Sequence, residues 1–199
     1  PVTPRGLVIG GGVAGMTAAL ALADQGFECV LIEKEKELGG NFSKIHYTME
    51  GGDTREFLQG LKERVASHER IEVLTSTEIE SVEGYIGNFK TTLASHNGKE
   101  SGPLTVEHGV VIVATGAAEY RPVEYGYGQD ERVITQSEFE EKLYLDPASC
   151  ASLKQVVMIQ CVGSREPERP YCSKLCCSKA IKNALKIKEL NPACEVAIL

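Results

Sequence analysis

Two sets of residues carry types and spacing that could do chemistry. In the first, Gly10, Gly12 and Gly15 stand in G-x-G-x-x-G spacing directly after the apolar run Leu7-Val8-Ile9. Gly10 permits a tight turn, Gly12 lets a pyrophosphate approach the backbone, and Gly15 lets a helix pack on a strand. Residues 16–25 are rich in Ala and Leu and read as that helix, with Val13 and Ala14 in its opening turn. Unpaired N–H groups and the positive end of the helix dipole then face the phosphates. A second apolar run, Cys29-Val-Leu-Ile32, ends in Glu33, 18 residues after Gly15, where a carboxylate can meet a ribose hydroxyl pair. A glycine pattern alone is weak; between a strand, a helix and an acid-ended strand it reads as a dinucleotide site.

The second set is Cys161, Cys172, Cys176 and Cys177, spaced C-x10-C-x3-C-C. Cys172 and Cys176 are four apart, so on a helix their thiols face one point. Four soft thiolates at a helix start suit an iron–sulfur cluster, with the helix dipole, Arg165, Arg169 and Lys174 offsetting their charge. Zinc more often takes separated C-x2–4-C pairs, and a redox disulfide is the third reading. Cys29, among apolar residues, is expected in the core, whereas Cys150 and Cys194 have no evident partner. His46, His68, His96 and His108 lack ligand spacing and are expected at the surface. Lys34 is placed to touch a ribose or phosphate, or simply to be solvated. Tyr125 and Tyr127 lie in a glycine-rich loop that covers a ligand or only packs. Lys182, Lys186 and Lys188 read as the wet face of the last helix. No side chain reads as a general acid or base, so no catalytic residue is assigned.

The elements that position these groups follow from periodicity. Strand 6–10, helix 13–25 and strand 28–33 form a βαβ start to a parallel sheet. Gly39-Gly40-Asn41 follows in a loop where backbone can approach a ligand closely. Asp53 and Glu56 suggest a capping box ahead of an amphipathic helix at 54–68, and 71–74 is a strand. Runs at 78–82, 88–94 and 104–107, with an Asn97-Gly98 turn, read as a small antiparallel excursion. Val110-Val-Ile-Val-Ala114-Thr115-Gly116 is a continuous apolar run expected of a parallel strand buried on both faces. Thr135 and Glu138 suggest a capping box for a helix reaching about 143, and 146–149 a linker. Residues 155–160, 173–190 and 195–199 form a second βαβ-type start. The sequence therefore divides into a dinucleotide-binding domain at 1–145 and the beginning of a second Rossmann-like domain at 146–199, and reads as a piece of a longer protein.

With 199 residues, 42% of them hydrophobic, the chain can bury a core. A net charge of −7 argues against nucleic-acid or anionic-membrane partners. No apolar segment is long enough to span a bilayer. Cysteine clustering in an α/β sequence points to a reducing compartment, and the chain is read as cytoplasmic, without direct membrane insertion.

In order, Gly10-x-Gly12-x-x-Gly15, Glu33, Gly39-Gly40, the β excursion and the run ending at Gly116 resemble the FAD-binding half of the thioredoxin reductase and glutathione reductase group. The resemblance implies FAD, with Gly10, Gly12 and Gly15 on its pyrophosphate and Glu33 on the adenosine ribose. It also implies Gly40 and Asn41 on the far side of the nucleotide, Ala114, Thr115 and Gly116 lining its middle, and backbone near Ile79 against adenine. The segments 82–89 and 160–177 narrow this: both resemble the A subunit of CoB–CoM heterodisulfide reductase and its bacterial relatives, which carry FAD and [4Fe–4S] clusters. On that resemblance Cys161, Cys172, Cys176 and Cys177 hold a [4Fe–4S] cluster. The protein is then an FAD-dependent oxidoreductase subunit passing electrons between flavin and cluster, and its partners are other heterodisulfide reductase-type subunits, redox donors and a possible second copy. The isolated piece is expected to be inactive and to retain FAD weakly. Alternatives are the A subunit of a quinone-interacting membrane-bound oxidoreductase complex, a non-enzymatic electron-transfer or assembly module, and an NAD(P)H-dependent disulfide reductase. The last is disfavoured because only Gly163 remains where a second glycine motif would stand.

Overall fold

A computed structural model describes residues 1–95 and 104–199; the Asn97-Gly98 turn and His96 lie outside them. The chain divides into two compact units, residues 1–43 with 54–117, and residues 44–53 with 118–199. Residues 118–145, assigned from the sequence to the first domain, cluster with the second unit.

In the first unit, β1 (Arg5–Ile9), β2 (Glu28–Ile32), β3 (Ile71–Leu74) and β7 (Val110–Val113) form a four-stranded sheet ordered β3-β2-β1-β7. All three pairings are parallel. Helices α1 (Val13–Asp24) and α2 (Thr54–Ser67) cover one face of the sheet. Met16, Ala19, Leu20 and Leu58, Leu61, Val65 join Val8, Cys29 and Leu31 there in one apolar cluster. The other face carries Leu7, Val30 and Ile32, packed against Leu93 and Val106. Those two come from a three-stranded antiparallel meander of β4 (Thr77–Tyr85), β5 (Asn88–Ser95) and β6 (Leu104–His108). Alternate residues of β1 and β2 thus serve opposite clusters, which is why both strands read as continuous apolar runs.

The same kind of run misleads at β7. Expected to be buried on both faces, Val110 is 46% and Val113 69% exposed. Strand β7 is the sheet edge, with β1 on one side only among the described residues, and an apolar run does not distinguish an edge from a centre.

His108, expected at the surface, is fully buried. Its Nδ1 lies 3.2 Å from the Val110 carbonyl, which can only accept, so Nδ1 carries the proton. Nε2 then accepts from the Thr91 hydroxyl at 2.7 Å. Burial holds the His108 pKa below its ordinary value. The unfolded chain therefore binds a proton that the folded chain refuses, and the neutral ring's contribution to stability fades as pH falls below about 6.5. Urea unfolding at pH 7.5 and pH 5 is expected to show a loss of stability in the wild type that is smaller in His108→Gln; equal losses would refute the assignment.

In the second unit, β8 (Gln155–Met158) and β9 (Glu195–Ile198) pair in parallel. They are covered by α3 (Gln136–Leu145), α4 (Pro147–Ala151) and α5 (Cys176–Leu190). The expected capping box is present: Thr135 accepts from the Glu138 N–H, and the Glu138 carboxylate accepts from the Thr135 N–H at 2.7 Å. Residues 146–149, read as a linker, instead open α4. Asp146 caps it by accepting from the Ser149 N–H at 3.1 Å, with Pro147 in its first turn. Cys150 and Cys194 are core residues here, beside Phe139, Leu143, Met158 and Ile187.

A buried polar knot crosses this unit. Glu140 is fully buried and Lys182 only 8% exposed. Lys182 Nζ donates to Glu140 Oε1 at 2.7 Å and to the Tyr47 carbonyl at 3.0 Å. Glu140 Oε1 also accepts from the His46 N–H at 2.9 Å, and the Tyr47 hydroxyl donates to Asn183 Oδ1 at 2.9 Å. Lys182 is therefore not on a wet face. Nor is His46 a plain surface residue: its ring stacks on Tyr144 with centroids 4.4 Å apart. Burial, then the Glu140 charge, push the Tyr47 pKa up.

Candidate functional site

The carboxyl end of β1 builds the first site. Strand order β3-β2-β1-β7 sends the chain to one side of β1 through β2 and to the other through β7, so loops diverge there and open a crevice. Gly10 turns the chain at φ +109°, and an added Cβ would lie 2.3 Å from the Ala114 carbonyl oxygen. At Gly15 an added Cβ would come 1.8 Å from the Gly10 carbonyl oxygen, so α1 leaves β1 in backbone contact. At Gly12 it would meet nothing within 4 Å. Gly12 is also the N-cap of α1 and supplies no capping side chain. The first-turn N–H groups, those of Val13 and Ala14 among them, are thus left uncapped by side chains beside open space, an anion-binding arrangement.

Glu33 ends β2 with its carboxylate buried and held in place. Oε2 accepts from the Gly11 N–H at 2.6 Å and Oε1 from the Glu35 N–H at 2.9 Å. Each oxygen keeps a further lone-pair site for a donor in the crevice. Gly39 N–H donates to the Gly11 carbonyl at 2.8 Å, and an added Cβ at Gly40 would lie 3.2 Å from Gly12 Cα. The glycine loop therefore lies directly on the glycine turn. Asn41, in the 3-10 turn Gly40–Lys44, donates through Nδ2 to the Ala117 carbonyl at 2.6 Å. That bond draws the segment after Ala114, Thr115 and Gly116 toward the same loop; an added Cβ at Gly116 meets nothing within 4 Å.

Two further contacts are expected, at Lys34 and near Ile79. Lys34 is exposed. Ile79 lies in β4, paired with Leu93, its side chain against the Leu7 and Val30 cluster. Its strand does begin at the acid, since Thr77 N–H donates to the Glu33 carbonyl at 2.9 Å. Gly11 was missed by spacing arguments, which skip the middle glycine. An added Cβ there would lie 2.4 Å from Leu38 Cδ2 and 3.0 Å from Glu33 Oε2.

The thiols are less assembled. Helix α5 begins at Cys176, so Cys172 is in the preceding loop and not one helical turn away as the spacing suggested; Lys174, at φ +58°, breaks the helix between them. Cys172 and Cys177 are exposed, Cys161 and Cys176 half-buried. Among the described residues no group of three or more His, Cys, Asp or Glu side chains stands ready to hold a metal ion. The thiols do influence one another: the Cys177 pKa is raised by Cys176 first, then by burial, a hydrogen bond with Cys176, and Cys161 and Cys172. Cys29, by contrast, is pushed up to about 11 by burial and is an inert core thiol. Tyr125 is exposed, and the Tyr127 hydroxyl donates to Glu138 at 3.0 Å.

Among curated proteins, the chain is 29% identical over 284 aligned residues to the A subunit of the H(2):CoB-CoM heterodisulfide,ferredoxin reductase of Methanothermobacter marburgensis, covering 99% of this chain and 43% of that protein. It is 30% identical to the second of the iron–sulfur A subunits of CoB–CoM heterodisulfide reductase in Methanopyrus kandleri, covering 99% and 43%. The chain thus spans less than half the length of these relatives. Because 284 aligned positions exceed its 199 residues, they carry residues inside the aligned stretch that this chain lacks. In fold, the chain is similar to L-proline dehydrogenase from P. horikoshii, with a TM-score of 0.56 at 18% identity over 100% of this chain and 35% of that one. It is likewise similar to T. acidophilum thioredoxin reductase, with a TM-score of 0.54 at 20% identity over 98% and 56%. No helix among the described residues is long and apolar enough to cross a membrane. The family described as pyridine nucleotide-disulphide oxidoreductase matches residues 4–159, well over half the chain, and to that family this protein belongs.

Proposed function

We propose that the chain holds FAD in the cradle at the end of β1 and serves as the flavin-bearing part of a heterodisulfide reductase-type A subunit, passing electrons toward iron–sulfur centres in company with other subunits of such a complex. The observation that carries the flavin reading is the contrast within one glycine motif. Gly10 and Gly15 are filled by the protein's own backbone, whereas the Cβ position of Gly12 is open beside uncapped N–H groups. The cradle fits the group: the N–H groups of Val13 and Ala14 suit a pyrophosphate, and the pre-fixed Glu33 carboxylate suits two ribose hydroxyls. Gly39, Gly40 and Asn41 close one wall, and Thr115 and Gly116 another. Bound there, FAD supplies two-electron chemistry; the chain supplies its placement.

Cys161, Cys172, Cys176 and Cys177 are assigned to a [4Fe–4S] cluster on the softness of four thiolates gathered in sequence at the start of one helix. As folded, no three of them stand together as a metal-binding group among the described residues, so no electron step is derived through a cluster. Iron and acid-labile sulfide in anaerobically purified protein are expected at about four each per chain; none after anaerobic reconstitution would remove the cluster.

The flavin reading is tested by titrating FAD against the wild type and Gly12→Ala. An added Cβ at position 12 meets nothing within 4 Å and φ is an ordinary −72°, so only the N-cap preference is lost and melting should fall by no more than about 4 °C. FAD affinity should fall at least about tenfold, because the methyl occupies the phosphate's approach. Equal FAD binding by the two proteins would overturn the site.

A further inference from the structure

We propose that Tyr120 is a positioning residue for the cysteine loop, its ring clamping both limbs of the hairpin that separates Cys161 from Cys172. Residues 161–175 are not irregular throughout. Arg165 N–H donates to the Tyr171 carbonyl at 3.3 Å, and Glu166 and Arg169 exchange backbone hydrogen bonds at 3.2 and 2.9 Å. These close a small antiparallel hairpin with Cys161 ahead of one limb and Cys172 beyond the other.

Three side-chain-bearing residues of this stretch, Cys161, Arg165 and Lys174, hold φ of +59°, +60° and +58°. Such residues stay in this region only where their surroundings hold them. Tyr120 supplies a hold on each limb. On the first, Gly163 lies under the ring at φ +69°, and an added Cβ would sit 2.4 Å from Tyr120 Cε1. On the second, the Arg169 guanidinium carbon stands 4.8 Å from the ring centroid, a cation–π contact. The Tyr120 hydroxyl donates to Glu124 Oε1 at 3.4 Å, tying the ring to its own segment.

The held conformation aims donors at sulfur. Arg165 Nη1 lies 3.8 Å from Cys161 Sγ, and Lys174 N–H donates to Cys172 Sγ at 3.3 Å. Both donors belong to positive-φ residues, so the clamp holds the backbone turns that bring them there. Gly163, which sequence reading takes as the remnant of a second phosphate-binding motif, is committed to an aromatic ring instead.

The inference rests on the reading of these cysteines as functional thiols. Its test uses reduced, metal-free and FAD-free protein, so a failure of the cluster or flavin reading leaves its outcome intact. Hydrogen exchange of the amides of Arg165, Glu166 and Arg169 is expected to quicken about fivefold in Tyr120→Ala. Tyr120→Phe, which keeps the ring and loses only the hydroxyl, should stay within about twofold of the wild type. Unchanged exchange in Tyr120→Ala, or equal acceleration in Tyr120→Phe, would overturn the clamp. Should Tyr120→Ala fail to fold, Arg169→Ala at an exposed position carries the test: faster exchange at Arg165 and Glu166 supports the clamp, and unchanged exchange refutes it.

Discussion

Gly15→Ala is expected to cost at least about 3 kcal/mol and to lower the melting temperature by at least roughly 6–12 °C. The added methyl would start 1.8 Å from the Gly10 carbonyl oxygen, and backbone cannot swing aside as a side chain can. Relief requires α1 to lift off β1, which opens the cluster of Met16, Ala19 and Leu20 against Val8 and Leu31. FAD binding should be lost with it, because the helix end that faces the crevice moves. Thermal melting by circular dichroism reads the first effect and FAD titration the second. Gly60→Ala in α2 is the control: its added Cβ meets nothing within 4 Å, and removing a mid-helix glycine should add about 0.5–1 kcal/mol. A Gly15→Ala protein that melts like the wild type would mean that α1 does not pack as described.

The second large effect is Lys182→Met, expected to cost about 3–5 kcal/mol because it strands a buried carboxylate. Among the described residues Glu140 would retain the His46 N–H at 2.9 Å and Lys179 Nζ at 3.5 Å. The Tyr47 carbonyl would lose its donor as well. Adding Glu140→Gln removes the charge yet keeps an acceptor for His46, so the double variant should recover at least about 2 kcal/mol of the loss. Urea unfolding of both single variants and the double variant completes the cycle; additive losses would show that the pair is not coupled.

The elements that period and punctuation mark were legible in the sequence. The glycine turn, the acid-ended β2, the amphipathic α2 and the Thr135 capping box each have a local physical cause visible in a few adjacent residues. What escaped was set by partners far along the chain. Lys182 reads as solvated because helical spacing puts it among other lysines, and partners far off in sequence, Glu140 and the Tyr47 carbonyl, bring it inside. His108 lacks ligand spacing and so suggested the surface; Thr91 and Val110 satisfy both ring nitrogens and let it be buried. At the cysteines, spacing alone placed Cys172 and Cys176 on one helix, and nothing nearby announced that Lys174 turns left-handed between them. Tyr120 gave no sequence signal at all, since its role depends on Gly163 being bare beneath it.

The second unit is composed of residues 44–53 together with residues 118–199, and this bears on how it can be made. A piece cut at 118 would leave behind the His46 N–H and the Tyr47 carbonyl, two of the partners on which Glu140 and Lys182 depend. The unit cannot be excised as one contiguous stretch; it would have to be rebuilt with the 44–53 segment stitched back on. On the ribosome the same layout imposes a wait. Tyr47 leaves the tunnel 136 residues ahead of Asn183, the acceptor for its hydroxyl, a delay on the order of ten seconds at ordinary elongation rates. Through that interval the 44–53 segment has to remain unclaimed while the sheet beside it in sequence is already able to form.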